Sequence, residues 1–340
     1  MRLFRLNFKC MEYDVLNARV RAAGLYERTY GSYIAHTVAV FLGIIAVWYG
    51  MRVMPDSFLA TLLLGICAGF VLVQAGMVGH DLSHLQVFAS RRVNRVCSLI
   101  MWTFVCGLSE RGWYDKHNAH HKHVNHVGQD PDLEIPFVFS TVQIDHKPQW
   151  VRRFVLPHQS WLFFVMLPLV YPNFVIWSIL NVFTQRDRRA LLEGILIALH
   201  FILFFGVPFF YFSPLLALVF IVTTLSVVGM YMGMVFAPNH KGEEVIERTE
   251  TTWKDQILLT RNIRSNPFTF FVFGGLDLQV EHHLFPNMSR YNYPRAQVIV
   301  KQFCREAGIE YYETSWWGSM CEIYTALKRE SDAWKRDQRR

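Results

Sequence analysis

A chain of 340 residues that is 52% hydrophobic and 15% aromatic, with a mean hydropathy of +0.18, is too apolar for an ordinary water-soluble domain and falls with the membrane proteins. The formal net charge of +7 would suit nucleic acid, but Lys and Arg sit beside apolar stretches and not in one block. That pattern excludes a nucleic-acid partner and fits the cytoplasmic face of a membrane. The six cysteines have no paired spacing and two lie in apolar runs, which excludes a disulfide framework or thiolate metal site and indicates a reducing face.

Residues 1–32 carry Arg2, Arg5, Lys9, Arg19, Arg21 and Arg28 among acidic residues and have no continuous apolar core. They read as a soluble, partly helical lead-in and not as a cleavable signal peptide, and their charge places the N-terminus in the cytoplasm. Residues 33–54 are apolar apart from His36 and Arg52, and residues 58–78 carry no charge. At about 1.5 Å per residue, each can cross the roughly 30 Å of hydrocarbon in a bilayer. Pro55-Asp56-Ser57 makes the turn of a first hairpin, and Gly65 and Gly69 offer a small-residue face on which its two helices would approach.

Residues 96–108 are apolar but too short to span, with Arg91, Arg92 and Arg95 before them and Arg111 after; they are expected to be interfacial or re-entrant. A polar stretch follows as far as Arg153. Three apolar stretches come next: 161–180, 190–212 and 215–236. Pro168, Tyr171, Pro172 and Asn173 interrupt the first, and Trp161 and Trp177 suit an interface. The other two, joined by Ser213-Pro214 and preceded by Arg186, Arg188 and Arg189, form a second hairpin. Residues 326–340 are a basic, amphipathic tail, predicted to be a solvated helix; Trp316 and Trp317, just before it, suit either an interface or core packing.

Histidines punctuate this pattern. His80 and His84 stand at i and i+4, His117, His120 and His121 at i, i+3 and i+4, and His282 and His283 follow Gln279. On a helix each set falls on one face, and with His240 the chain offers eight imidazoles. Imidazole suits Zn, Cu, Fe and Ni, and eight ligands overfill a single tetrahedral site, so two metal ions are expected. To meet at one site, the sets must share one side of the membrane. The chain then crosses an even number of times between His121 and His240, and 161–180 does not cross. The expected fold is all-α and integral to the membrane: four transmembrane helices as two hairpins, plus a cytoplasmic helical cap holding a di-metal site, with both termini inside. A membrane domain over 33–325, with spans at about 33–54, 58–78, 190–212 and 215–236, lies between lead-in and tail. His36 and His200, alone in apolar helices, read as packed or hydrogen-bonded core residues. His123, His126, His146 and His158 read as surface or supporting groups. Asp81, Asp130 and Asp132 are placed to orient ligating imidazoles through the second ring nitrogen, or to cap turns.

Three stretches resemble the histidine boxes of the membrane fatty acid desaturases: Gly79-His80-Asp81-Leu82-Ser83-His84, His117-Asn118-Ala119-His120-His121, and Gly274-Gly275-Leu276-Asp277-Leu278-Gln279-Val280-Glu281-His282-His283-Leu284-Phe285-Pro286. The likeness extends to Asp130-Pro131-Asp132, Asn239-His240 and Thr260-Arg261-Asn262 and covers roughly residues 30 to 325. Gln279, in place of His, is similar to the front-end branch, which inserts a double bond between an existing one and the carboxyl end. The resemblance implies a non-haem di-iron centre held by His80, His84, His117, His120, His121, His240, His282 and His283. Gln279, Asp81, Asn239, Asn262, Asp130 and Asp132 would stand at or just behind the metals. It also implies dioxygen, an acyl-CoA or acyl-lipid substrate, and removal of two hydrogens from adjacent methylenes to leave a cis double bond. Many front-end members carry a cytochrome domain with a His-Pro-Gly-Gly motif that this sequence lacks, so a separate ferredoxin, cytochrome or reductase is the expected electron donor, docking on the basic face. Asp277 stands where the family commonly has Asn or Gln.

Two rival readings differ in chemistry. A hydroxylase, ketolase or alkane oxygenase would share the boxes but insert oxygen. A histidine-rich metal transporter would need ligands at the membrane midplane, where only His36 and His200 lie.

Overall fold

Local sequence sets where each helix starts and stops. The computed structural model describes residues 2–134, 138, 147–248 and 250–338, with side chains described from residue 12 onward except Asp337; His146 lies outside the described residues. Helix α1 (Arg2–Ala22) is followed by α2 (Tyr30–Val53) and α3 (Phe58–Ser83). The Ser57 hydroxyl starts α3 by accepting from the Ala60 N–H at 3.3 Å, one of the four donors a helix N-terminus leaves free. Helix α4 (Arg91–Leu99) runs into a π-helical turn, Ile100–Val105. Helix α5 (Glu110–Lys122) is capped by Ser109 in the same way as α3.

Next come α6 (Gln159–Met166), α7 (Val170–Gln185), α8 (Arg188–His200), the short α9 (Pro208–Tyr211) and α10 (Pro214–His240). Pro214 opens α10 in the first turn, where its missing N–H costs nothing. The remaining elements are α11 (Asp255–Leu258), β1 (Asn262–Ile263), α12 (Pro267–Phe273), α13 (Gln279–Leu284), α14 (Tyr293–Ala307), β2 (Glu313–Thr314) and α15 (Trp316–Asp337). Among the described residues, the all-helical expectation is modified by a two-residue parallel pairing of β1 with β2 and an isolated parallel bridge between His126 and Ile246.

Among the described residues, five helical stretches are long and apolar enough to cross a membrane: Tyr30–Val53, Phe58–Ser83, Val151–Gln185, Arg188–Tyr211 and Pro214–His240. Helices α3 and α10 form the central pair and end together at the histidines. Gly65 and Gly69 do provide a close approach, but to α10 and not to α2 as the sequence suggested. A Cβ on Gly65 would lie 3.0 Å from the Phe220 carbonyl oxygen, and one on Gly69 would lie 2.7 Å from Val227 Cβ. Helix α2 meets α3 instead through its own Gly43 and Gly50, against Val71 and Leu64. The hairpin turns sit together at the far end, where the Ser213 N–H points at Asp56 Oδ1, 3.4 Å away.

The stretch Val151–Gln185 is not a straight rod. Its start is tied to α15 by Ser331 Oγ donating to the Leu156 carbonyl at 2.8 Å. Its end adjoins Asp187, which pairs with Arg111 of α5 at 2.6 Å. Its middle, Leu167-Pro168, packs against Gly229 and Gly233 of α10, with Gly229 about 16 Å of helix from His240. A three-residue 3-10 turn at Leu167–Leu169 makes the bend, because Pro168 supplies no N–H to continue the α pattern. Its middle thus lies partway along α10, while its two ends lie against α15 and beside α5. In the α4 segment, Trp102 lies against Gly76 and Gly79 of α3, and Gly107 against His200.

A second core lies beside the third histidine set. Leu16, Val20 and Leu25 of the N-terminal segment pack with Leu278, Val280, Leu284, Phe285, Tyr293 and Val300. Full burial of each such side chain contributes roughly 1.5–3 kcal/mol, so the third histidine set is bolted to a rigid layer. Helix α15 crosses position 325 without a break and separates the two tryptophans. Trp316 donates to the Met234 carbonyl at 3.3 Å, while Trp317 is 69% exposed.

Candidate metal centre

Each element contributes histidines through its end or through one face. Helix α3 carries His80 inside its last turn and His84 as its C-cap residue; α5 carries His117, His120 and His121; α13 carries His282 and His283. Helix α10 persists through Pro238 to end on His240 itself, so the helix continues beyond the span expected to end at Phe236 and carries this residue.

The sets do not each define one spot. Potential ligand nitrogens of His80, His84, His117 and His282 all lie within 4.8 Å of one another, and those of His120, His240 and His283 do likewise. The two groups thus draw on all three sets and divide the adjacent His282 and His283 between them, because neighbouring residues on a helix point roughly 100° apart. His121 stands between the groups: its ring centroid is 4.6 Å from that of His282 and 4.2 Å from that of His283. His117 Nε2 lies 2.9 Å from His84 Nε2 and 3.1 Å from His121 Nε2.

The outward ring nitrogens are held by other groups. His80 Nδ1 meets Asp81 Oδ1 at 3.0 Å, and His120 Nδ1 meets both oxygens of Asp130 at 3.0 Å. His282 Nδ1 meets the Tyr293 hydroxyl at 3.2 Å, and His283 Nδ1 meets Gln256 Oε1 at 2.8 Å. His240 Nδ1 lies 3.4 Å from the Leu259 carbonyl oxygen. With Nδ1 engaged, Nε2 is the nitrogen left to face the centre. The Nε2 atoms of His80, His282 and His283 are buried with no hydrogen-bond partner. Unpartnered buried nitrogens are costly, and several converging on one place fit a metal, which supplies the missing bonds. Burial, reinforced by neighbouring imidazoles, holds His117, His121, His282 and His283 well below the ordinary histidine range. They are neutral at pH 7, the form that binds metal. Burial also opposes charge on His120, but Asp130 and Asp132 outweigh it and its pKa is raised.

The other candidate residues separate by geometry. Asp132 is 40% exposed, pairs with Lys116 and lies 3.6 Å from His120. Asn262 engages backbone and carboxylate and no imidazole: its oxygen accepts from the Val280 N–H at 2.8 Å and its amide donates to Glu281 at 2.7 Å. Asn239 donates to the Leu276 carbonyl at 3.0 Å and ties α10 to the third box. Gln279 places Nε2 3.2 Å from His240 Nε2 and leaves Oε1 buried without a partner. Its amide ends exchange by a half turn, so an acceptor oxygen is available to the second group. His36 meets Arg290 Nη2 at 3.2 Å and His200 meets the Phe104 carbonyl oxygen at 3.1 Å, both hydrogen-bonded as expected. His123 is half-buried and His158 exposed, whereas His126 is fully buried against the Val124 carbonyl and is not a surface group.

Several supporting residues carry no signal in the spacing. Arg290 is fully buried and forms an ion pair with Asp81 at 3.2 Å while donating to the Gly274 carbonyl at 3.1 Å. Trp113 stacks on His117 with ring centroids 4.3 Å apart. Glu281, fully buried inside the third box, accepts from Asn262 and Tyr311, and burial pushes its carboxyl up to about 7. Only Glu281 was open to notice, as a carboxylate in an otherwise apolar and histidine-rich run.

Apolar helices bearing a buried polyhistidine centre at one shared end define a membrane-embedded protein organised around a metal-type site. The chain belongs to the fatty acid desaturase family, whose pattern it matches over residues 55–315. It is 30% identical to the acyl-lipid (9-3)-desaturase of Physcomitrium patens over 87% of this chain and 57% of the moss protein. It is 29% identical to the Delta(5) fatty acid desaturase fat-4 of Caenorhabditis elegans, over 89% and 70% of the two chains. With the Delta(8)-fatty-acid desaturase 2 of Arabidopsis thaliana it shares 27% identity over 93% and 74%.

Proposed function

We propose that this chain is an oxygen-dependent fatty acyl desaturase, with His80, His84, His117 and His282 holding one iron, His120, His240 and His283 a second, and His121 placed between them. The observation that carries this reading is the convergence of seven histidines into two groups, with His121 between them, in a chain of this family. The irons, when bound, would supply the oxidising chemistry by which dioxygen, two electrons and two protons take two hydrogens from adjacent methylenes, leaving a cis double bond and two waters. An unactivated methylene has no acidic proton, so side-chain acid–base chemistry alone does not suffice. The residues of the chain fix the ligands: Asp81, Asp130, Tyr293 and Gln256 each set the orientation and tautomer of one imidazole. Trp113 gives the centre an apolar wall against His80, His84 and His117, backed by Trp102 stacked on it.

The bend in Val151–Gln185 supports four crossings, at α2, α3, α8 to α9 and α10. With the Arg-rich ends beside the histidines, the positive-inside rule puts the centre and both ends of the chain in the cytoplasm. Gln279 at the head of the third box supports a front-end position, and the similar proteins named for positions 5 and 8 agree. Electrons would come from a ferredoxin, cytochrome or reductase, and the acyl group from acyl-CoA or a lipid.

The test is the fatty acid profile of a host expressing this chain with supplied linoleate, beside a His282→Ala variant. The expected result is a new polyunsaturated species, its added double bond nearer the carboxyl end, absent in the variant. A hydroxylated or keto product would overturn the reaction and keep the site. No product with a competent electron donor present would overturn the acyl substrate.

A further inference from the structure

On the rim of the bundle, away from the histidines, α4 and the base of α8 enclose an open groove of about 670 Å³. It is lined by Arg91, Arg92, Arg95 and Arg189 together with Val96, Leu99 and Leu192. Along the groove the charge comes first and the apolar surface after it, because Arg91, Arg92 and Arg95 start α4 and Val96 and Leu99 follow toward its end. Arg91, Arg92 and Arg95 are exposed at its start, and Val96 and Leu192 remain 52% and 45% exposed with no protein covering them. Two cations have partners: Arg189 holds Glu110 and Glu193, and Arg95 lies 5.6 Å over the Tyr114 ring. Arg91 and Arg92 have no ion pair among the described residues, and the carboxylates nearest the groove are already taken by Arg189.

We propose that this groove binds one anionic phospholipid, with its phosphate among the guanidiniums and its first acyl carbons on Val96, Leu99 and Leu192. A guanidinium fork matches phosphate geometry, and a basic pocket between helices at the cytoplasmic surface is where anionic headgroups are retained. The apolar floor separates a lipid from a free anion, since a soluble phosphate would leave Val96 and Leu192 in water. The location agrees: α8 begins here, so the groove lies at headgroup depth beside its lipid-facing residues. This site concerns the membrane alone and does not depend on which reaction the histidines perform.

The test uses the purified full-length chain in nanodiscs of phosphatidylcholine containing a graded fraction of phosphatidylglycerol, with bound lipid counted by native mass spectrometry. The wild type is expected to retain one phosphatidylglycerol in preference to phosphatidylcholine. At roughly 1 kcal/mol for each basic residue near the surface, an Arg91→Gln/Arg92→Gln variant is expected to lose that preference by roughly tenfold or more. A Lys335→Gln/Arg336→Gln variant, with the same change of charge on the exposed part of α15, is expected to keep it. Equal retention in wild type and Arg91→Gln/Arg92→Gln would overturn the proposal, as would equal loss in the α15 control. Displacement of the lipid by millimolar glycerol phosphate or coenzyme A would also overturn it, reassigning the groove to a soluble phosphoester.

Discussion

Behind His80 lies a buried chain of charge that should couple folding to metal binding. Asp81 and Arg290 are each about 1% exposed; one carboxylate oxygen of Asp81 faces Arg290 Nε at 3.2 Å, and the other faces His80 Nδ1 at 3.0 Å. Removing one member of such a pair strands the other as an uncompensated buried charge, at a cost of about 3–5 kcal/mol. Arg290→Gln and Asp81→Asn are each expected to destabilise by that amount. The double variant, which buries two neutral amides, should cost about 2 kcal/mol less than the sum. Metal binding separates the two roles of Asp81. Loss of the carboxylate behind a ligating imidazole weakens metal affinity by roughly 10–100-fold, so Asp81→Asn and the double variant should lose iron alike, and Arg290→Gln less. Unfolding followed by intrinsic fluorescence in detergent, together with iron content by elemental analysis, reads both quantities. The reasoning fails if the two substitutions add within about 0.5 kcal/mol, the behaviour of independent sites, or if Arg290→Gln is as stable as the wild type.

Asp277 offers a pH test. Burial raises its carboxyl from 3.8 to about 6, so the folded state binds the proton more tightly, and stability is full below about pH 4 and falls as pH rises to about 6. At roughly 1.4 kcal/mol per unit, the loss is about 3 kcal/mol, and Asp277→Asn should flatten the melting profile and stabilise the protein at pH 7.5; unchanged profiles would show that the carboxylate is solvated. A Cβ on Gly229 would lie 2.3 Å from the Pro168 carbonyl oxygen, while one on Gly31 meets nothing within 4 Å. Gly229→Ala should therefore lower the melting temperature by several degrees, and Gly31→Ala should leave it unchanged or raise it slightly. Tyr293→Phe, which removes the hydroxyl from His282 Nδ1, should weaken iron retention roughly tenfold or more without unfolding the cap, as measured by titration with a chelator.

What the sequence by itself determined was everything carried by short-range pattern. Apolar runs long enough for a bilayer, tight turns at Pro55 and Ser213, and histidines at helical offsets each state a local geometry that no tertiary contact had to supply. Asp81 and Asp130 could be picked out as partners of His80 and His120 because one lies beside its histidine and the other follows it across a short loop. What only the tertiary structure decided was how those local faces meet. Two metal-type groups arise by dividing the adjacent His282 and His283 between them, and that division depends on the rotation of α5 against α13. The partner of Gly65 and Gly69 proved to be α10 because a small-residue face records that something comes close without recording what. Arg290 reaches Asp81 from far along the chain, and Tyr293 and Gln256 reach His282 and His283 from outside their helix; no period in the sequence marks a residue whose only role is to hold the back of a histidine.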